Sequence, residues 1–178
     1  MKIFLDFDRT LFDLDAFHRE AREALEQRGL PEGAYFASKQ PFSTVSGMPG
    51  GSYTPERHEA ELERLFPGNG LSLASFVRAL NREEGQRFVF PGAEDFLREI
   101  ADHELIILTF GNDEYQRYKI AGSGLEGLVD RIIVTDEDKW AAMRAELSSD
   151  EEAVFVDDHR VEQPALLPLA LLDPLELP

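Results

Sequence analysis

Four short aliphatic runs, far apart along the chain, set its pattern: Ile3-Phe4-Leu5, Leu105-Ile106-Ile107-Leu108, Ile132-Ile133-Val134 and Val154-Phe155-Val156. Each is continuously apolar, which predicts strands buried on both faces, as in a parallel sheet covered by helices. A fifth run, Leu169-Ala170-Leu171-Leu172, predicts a last strand before a Pro-ended tail. Between the first and second runs the period becomes helical. Leu14, Phe17, Ala21 and Ala24-Leu25 recur at helical spacing after Asp13, and Gly29 stands as the stop. Residues 31–53 carry Pro31, Gly33, Pro41, Gly47, Pro49, Gly50 and Gly51, which predicts loops with at most a short helix. Thr54-Pro55 then makes an N-cap and first-turn pair for a helix striped with Leu62, Leu65 and Phe66. A further helix is predicted from about Ser72 to Glu84, carrying Phe76, Val77 and Leu80, and the core resumes near Phe88-Val89-Phe90.

Polar clusters follow the strand runs. Asp6-Phe7-Asp8-Arg9-Thr10 stands directly behind the first. Residues i and i+2 share one side of a strand or its extension, so one carboxylate could attack an electrophile while the other handles protons beside it. Thr109, followed by Gly111-Asn112, ends the second run; Lys139 comes a few residues after the third; Asp157-Asp158 ends the fourth. Taken singly, each has an ordinary explanation: Asp is common where a strand enters a turn, and a Thr at a strand end is unremarkable. Lys139 at a helix start even opposes the dipole's positive end. Together they matter, because open parallel sheets bind ligands outside the strands' carboxyl ends, where strand order reverses.

This set, in this order, resembles the haloacid dehalogenase superfamily, whose members are mostly magnesium-dependent phosphohydrolases. The matching residues are Asp6-Phe7-Asp8-Arg9-Thr10, Thr109, Lys139 and Asp157-Asp158, with Pro91-Gly92-Ala93 opening a helix before the second strand. The resemblance implies a Rossmann-like, three-layer α/β core with a parallel sheet, over residues 1–12 and 88–178. It also implies a small helical cap over 13–87, an insert of about 75 residues, long enough for a helical unit. Only 17 residues separate Lys139 from Asp157, too few for the larger cap that other members carry there. By the same resemblance Asp6 is the nucleophile, giving an aspartyl-phosphate. Asp8 serves as general acid and then general base. Thr109 and Lys139 clamp the phosphate, with Gly111 and Asn112 as backbone donors. Mg²⁺ would be held by Asp6, the backbone carbonyl of Asp8, and Asp157 or Asp158. Dehalogenases of the superfamily lack the second carboxylate, since halide needs no proton. The expected activity is therefore hydrolysis of a small phosphorylated metabolite. A phosphomutase or other phosphotransferase is the nearest rival, a noncatalytic phosphate- or metal-binding module the next. A receiver-type domain would need its Asp on a middle strand, and neither 105–108 nor 132–134 ends in one. Two departures stand out: Trp140 follows Lys139 where many relatives have Pro, and Pro164 and Pro168 break the segment that is usually a full helix.

Composition narrows the partners. The chain has 178 residues, 43% hydrophobic and 10% aromatic, enough to bury a core in one domain with a small appendage. A formal net charge of −17 argues against nucleic acid polymers and anionic membranes as partners. It also requires a local cation before any phosphate ester can approach. There is no cysteine, so disulfides, thiolate metal sites and Cys nucleophiles are excluded. The opening Met1-Lys2 leads straight into a strand with no room for a signal peptide, and no apolar stretch reaches the roughly 18–20 residues of a membrane span, so the expected location is the cytoplasm. His18, His58, His103 and His159 show no ligand spacing, and only His159 adjoins the acidic pair. Lys119 is the rival to Lys139 for the clamp, but it falls inside the helix after Thr109, where a solvated role is expected. Arg78, Arg82 and Arg87 are expected on a solvated helix face, Trp140 in the core beneath Lys139, and Arg57 on a solvated position of the cap, with substrate contact as its alternative. Gly47-Met48-Pro49-Gly50-Gly51 is expected as a flexible turn, with a cap loop closing over substrate as the alternative.

Overall fold

The computed structural model describes residues 1–42, 53–148 and 151–158, and residues 169–172 as backbone. Five strands, β1 (Lys2–Leu5), β2 (Glu104–Phe110), β3 (Arg131–Thr135), β4 (Ala153–Val156) and β5 (Leu169–Leu172), form one sheet in the order β3-β2-β1-β4-β5. Every pairing is parallel, with Leu5 level with Ile107 on one side and Val156 on the other. The chain steps outward from β1 to β3 and then returns to β4 across β1. The reversal at β1 puts the carboxyl ends of β1, β2 and β4 around one crevice.

The unbroken apolar runs are explained by the two layers they feed. Ile3, Leu5, Leu105 and Ile107 face one cluster with Leu97 of α5 (Ala93–Glu99) and Ile120 of α6 (Asp113–Ser123). Phe4, Ile106, Leu108 and Phe155 face the other, against Trp140 and Met143 of α7 (Lys139–Ala145). Trp140 meets Phe155 edge-on at 5.9 Å, the core packing expected for it.

Among its described residues the insert holds four α-helices: α1 (Leu14–Glu26), α2 (Ala34–Lys39), α3 (Pro55–Leu65) and α4 (Leu73–Glu84). Asp13 caps α1 by accepting from the Ala16 N–H at 2.8 Å, and Thr54 caps α3 by accepting from the Arg57 N–H at 3.2 Å. Among the described residues of the loop-rich stretch, the short α2, followed by a 3-10 turn over Gln40–Phe42, is the one α-helix. The region of Gly47–Gly51, His159, Pro164 and Pro168 lies outside the described residues.

The two chain crossings into the insert are tied together. The Asp13 N–H donates to the Phe88 carbonyl at 2.6 Å, and the Phe90 N–H to the Leu11 carbonyl at 3.0 Å. The Phe12 ring lies 5.1 Å from Phe7, 5.7 Å from Phe17 and 6.0 Å from Phe88. Apolar side chains of the insert, among them Phe17, Leu25, Tyr35, Leu62 and Val77, belong to the same cluster as Leu5 and Ile107. Helix α4 also packs on α6 of the core. Gly85 allows that approach, because a Cβ there would meet the Gly122 carbonyl oxygen at 2.5 Å.

Candidate active site

The Asp6–Thr10 turn builds the centre. The Asp6 N–H donates to the Val156 carbonyl at 2.9 Å, carrying the β1–β4 ladder one residue beyond the strand. The chain then folds back, with the Leu11 and Phe12 N–H groups on the Phe7 carbonyl at 3.0 and 2.9 Å and the Arg9 N–H on the Phe12 carbonyl at 2.7 Å. Arg9 takes a left-handed φ of 68°, a conformation costing a residue with a Cβ about 1–2 kcal/mol, and its side chain pairs with exposed Asp15. Thr10 stitches the turn to β4: its hydroxyl accepts from the Asp158 N–H at 3.1 Å and lies 3.5 Å from Asp6 Oδ2.

Around this turn the structure collects carboxylates and lysines. Asp6, Asp157 and Asp158 each offer an oxygen, and the three lie within 4.8 Å of one another. Lys139, first residue of α7, lies 2.7 Å from Asp6 Oδ1 and 3.0 Å from Asp157 Oδ2. Its helix is started by Asp138, whose side chain accepts from the Trp140 N–H at 3.2 Å. Burial pushes the Asp6 carboxyl up to about 7; Lys139 opposes that, while Asp157 and Asp8 add to it. Burial works against the Lys139 ammonium, and Asp6 and Asp157 together overcome it, so its pKa moves up. Three convergent carboxylate oxygens with no nitrogen or sulfur donor suit a hard divalent cation. The fit is good, since buried Asp6 resists ionisation without more positive charge than Lys139 supplies.

Asp8 faces elsewhere. Its carboxylate accepts from Lys119 at 2.5 and 2.6 Å and from Gln116 Nε2 at 3.1 Å, so it is outside the three-acid set and offers that set at most its backbone carbonyl. This corrects the expectation for Lys119. It is 2% exposed, not solvated, with its ammonium 5.5 Å from the rings of both Phe7 and Tyr115. The reason is the inward face of α6, made of Tyr115, Gln116, Lys119, Ile120 and Ser123. Three of these five are polar, so apolar periodicity does not reveal the face; the spacing of 115, 119 and 123 would have.

Thr109 is buried near the end of β2, in register with Val134. The Gly111 N–H donates to the Thr135 carbonyl at 2.9 Å and is thereby committed, which corrects its expected role as a phosphate donor. The Asn112 side chain caps α6 by accepting from the Tyr115 N–H at 3.0 Å. A groove of about 590 Å³ between α1 and α4, lined by Glu20, Arg28, Ser72 and Phe76 among others, includes none of the residues of this centre.

The parallel sheet, its reversal at β1 and the acidic, lysine-tuned crevice above it define a Rossmann-like α/β hydrolase core. The chain belongs to the haloacid dehalogenase-like hydrolases, whose family model matches residues 3–166. A haloacid dehalogenase-like hydrolase from Burkholderia xenovorans superposes with a TM-score of 0.66 at 22% identity, covering 88% of this chain and 71% of that one. The L-2-haloacid dehalogenase from Xanthobacter autotrophicus, solved with chloropropionic acid covalently bound, gives 0.60 at 20% identity over 87% and 68%. A hydrolase of the same type from Bacillus subtilis, bound to magnesium, gives 0.57 at 18% identity over 87% and 78%. At such identities these structures speak for the fold alone. No curated protein matches the chain. Among the described residues no helix is long and apolar enough to cross a membrane.

Proposed function

We propose that the protein is a Mg²⁺-dependent phosphatase acting on a small phosphate monoester. The observation that carries this reading is the second carboxylate, Asp8, held apart from the three-acid cluster by Lys119 and Gln116. A halide departs without a proton, whereas an alkoxide needs one, so a positioned second carboxylate has work in ester hydrolysis that it lacks in dehalogenation.

In the first step an Asp6 oxygen attacks phosphorus and the ester P–O bond breaks. Asp8, entering the step protonated, gives that proton to the departing alkoxide and is left as the carboxylate that Lys119 and Gln116 hold. In the second, Asp8 takes a proton from water as that oxygen attacks phosphorus, and the bond to Asp6 breaks to release phosphate. Thr109 and Lys139 are the donors toward the transferring group's oxygens, where most of the stabilisation in such reactions lies. Asp6, Asp157 and Asp158 would hold Mg²⁺, which supplies charge neutralisation between the phosphate and the attacking carboxylate. The insert, packed above the Asp6–Thr10 turn, excludes water and favours small substrates over phosphoproteins.

The test is a panel of phosphorylated metabolites and p-nitrophenyl phosphate with Mg²⁺, run beside 2-chloropropionate. Phosphate release with no halide release is expected; halide release without phosphate release would replace this reading with dehalogenation.

A further inference from the structure

Where the insert meets the rim, several polar groups have no part in the chemistry above. Lys39, at the end of α2, is half-buried and makes no ion pair or hydrogen bond among the described residues. Its ammonium sits 5.7 Å from the Tyr53 ring, within electrostatic range of Asp8, Arg9, Asp15 and Lys119. The other three lysines are all paired, Lys2 with Glu151, Lys119 with Asp8, and Lys139 with Asp6 and Asp157. Scarcity of acids is no explanation, since the chain has 35 Asp and Glu against 18 Lys and Arg. Burial, with Arg9 and Lys119 adding their repulsion, brings the Lys39 pKa down to about 8 against the pull of Asp15 and Asp8.

A second unmet donor lies across from it on the core. Tyr115 of α6 packs its ring 5.5 Å from that of Tyr53, and its hydroxyl is buried with no hydrogen-bond partner among the described residues, the residue being 3% exposed. Lys39 and Tyr115 both pack against the Tyr53 ring, and buried polar groups are nearly always paired, so an orphaned hydroxyl and an ammonium without a direct partner at one seam ask for an acceptor. Both groups lie within electrostatic reach of Asp8, the acid proposed above for the leaving oxygen.

We infer that Lys39 and Tyr115 form an anion subsite for the leaving group, so that the substrate is a phosphate monoester whose alcohol portion carries a second anionic group, a carboxylate or a phosphate. This rests on the phosphatase reading. An ammonium from the insert and a hydroxyl from the core would then close on the substrate's far end, coupling insert position to substrate identity. In so acidic a protein, a local cation is also what lets a doubly anionic ester enter.

The experiment compares three short substrates of equal length on the full chain with Mg²⁺: a phosphorylated hydroxy acid, a diol bisphosphate and a neutral-alcohol phosphate. The wild type is expected to favour at least one anionic substrate in kcat/KM by about tenfold or more over the neutral one, and the better of the two identifies the anion. Lys39→Met and Tyr115→Phe should each shrink that ratio, chiefly through KM, while Lys39→Arg should keep it. A purely structural defect would lower all three substrates alike and leave the ratio intact. Equal turnover of neutral and anionic substrates by the wild type would overturn the subsite while leaving the phosphatase reading standing. Failure of the wild type to hydrolyse even p-nitrophenyl phosphate would overturn both.

Discussion

The rim of the sheet and the helical insert treat buried polarity in opposite ways. On the rim, charge meets charge: Lys139 bridges Asp6 and Asp157, and Lys119 grips Asp8. In the insert, the buried network is neutral. His18 Nδ1 lies 2.7 Å from the Tyr35 hydroxyl, while His58 Nε2 lies 2.9 Å from both the Ser38 hydroxyl and the Tyr35 carbonyl. Burial holds both imidazoles below their ordinary pKa. A buried ion pair rarely stabilises more than apolar packing of the same volume, whereas a satisfied neutral network rigidifies without the desolvation of charge. The rim therefore carries an arrangement that makes sense for a charged reactant, and the insert one that makes sense for shape. Lys39 is the exception, a charge left open at the seam between them.

The contrast breaks most sharply at the nucleophile. Asp6→Asn is expected to cut turnover of aryl phosphate by more than about 10⁴-fold with the fold retained, read by initial rates and circular dichroism. Full activity in that variant would exclude a covalent step at Asp6. Lys119→Met comes next. It strands Asp8 in a mostly buried site, at a cost of about 3–5 kcal/mol in urea unfolding, and Asp8→Asn in the same chain should recover part of that loss. Its turnover should fall more for alkyl than for aryl esters, because aryl leaving groups need less protonation. Equal slowing of both ester types would mean that Lys119 does not act through Asp8.

Metal removal is expected to act on the rim alone. With Mg²⁺ at a hundredfold over its Kd, the bound protein gains about 2.7 kcal/mol over the chelated one, and activity follows the same titration. An unchanged melting temperature across a chelator series would remove the three-acid cluster from consideration as a metal site.

How far each region could be read from the sequence follows from the same physics. The strands β1, β2 and β4 were legible because burial on both faces leaves few polar positions, and the half-buried edge strand β3 because Ile132 and Ile133 still pack on the two layers. The centre was legible because its acids directly follow β1 and β4. Asp6, Asp157 and Asp158 meet because β1 and β4 are neighbours, which the family order implies and the register realises. Lys119 and Gln116 were not legible. They sit on a helix whose inward face is mostly polar, and a lysine there is indistinguishable by composition from a solvated one. Gly111 was misassigned because a backbone N–H carries no sequence mark of its partner, here the Thr135 carbonyl. Lys39 and the Tyr115 hydroxyl became visible only once the insert was placed against α6.

Acid should unsettle the insert's network. His58 has its pKa pushed from 6.5 to about 4 by burial, with Lys39 adding to the effect and the Tyr35 carbonyl opposing it. The unfolded chain binds this proton first, so the contribution is fully present above about pH 6.5 and declines as pH falls toward 4. At pH 5 the loss is about 2 kcal/mol from this histidine, at 1.36 kcal/mol per pH unit. Asp6 on the rim, its carboxyl pushed up to about 7, gains stability over the same window and works in the opposite sense. The measurement is therefore the difference between the wild type and a His58→Asn variant in urea unfolding at pH 7 and 5. A variant with the same pH dependence as the wild type would mean that His58 is not held neutral.

The smallest effects separate the two regions most cleanly, because the same local device occurs in each. Thr54 caps α3 in the insert and Asp138 caps α7 on the rim, each accepting one backbone N–H in the first helical turn. Replacing either by Ala should cost about 1 kcal/mol, the ordinary worth of an N-cap. The consequences then diverge. Helix α7 begins with Lys139, whose ammonium must reach Asp6 and Asp157, so fraying its first turn loosens the clamp. Asp138→Ala is expected to lower kcat on aryl phosphate several-fold, whereas Thr54→Ala should lower stability and leave that kcat alone. Parallel unfolding and rate measurements on the two variants decide the point. If both lost activity in proportion to stability, the insert's rigidity and the rim's chemistry would be one cooperative property, and the division drawn between them would fail.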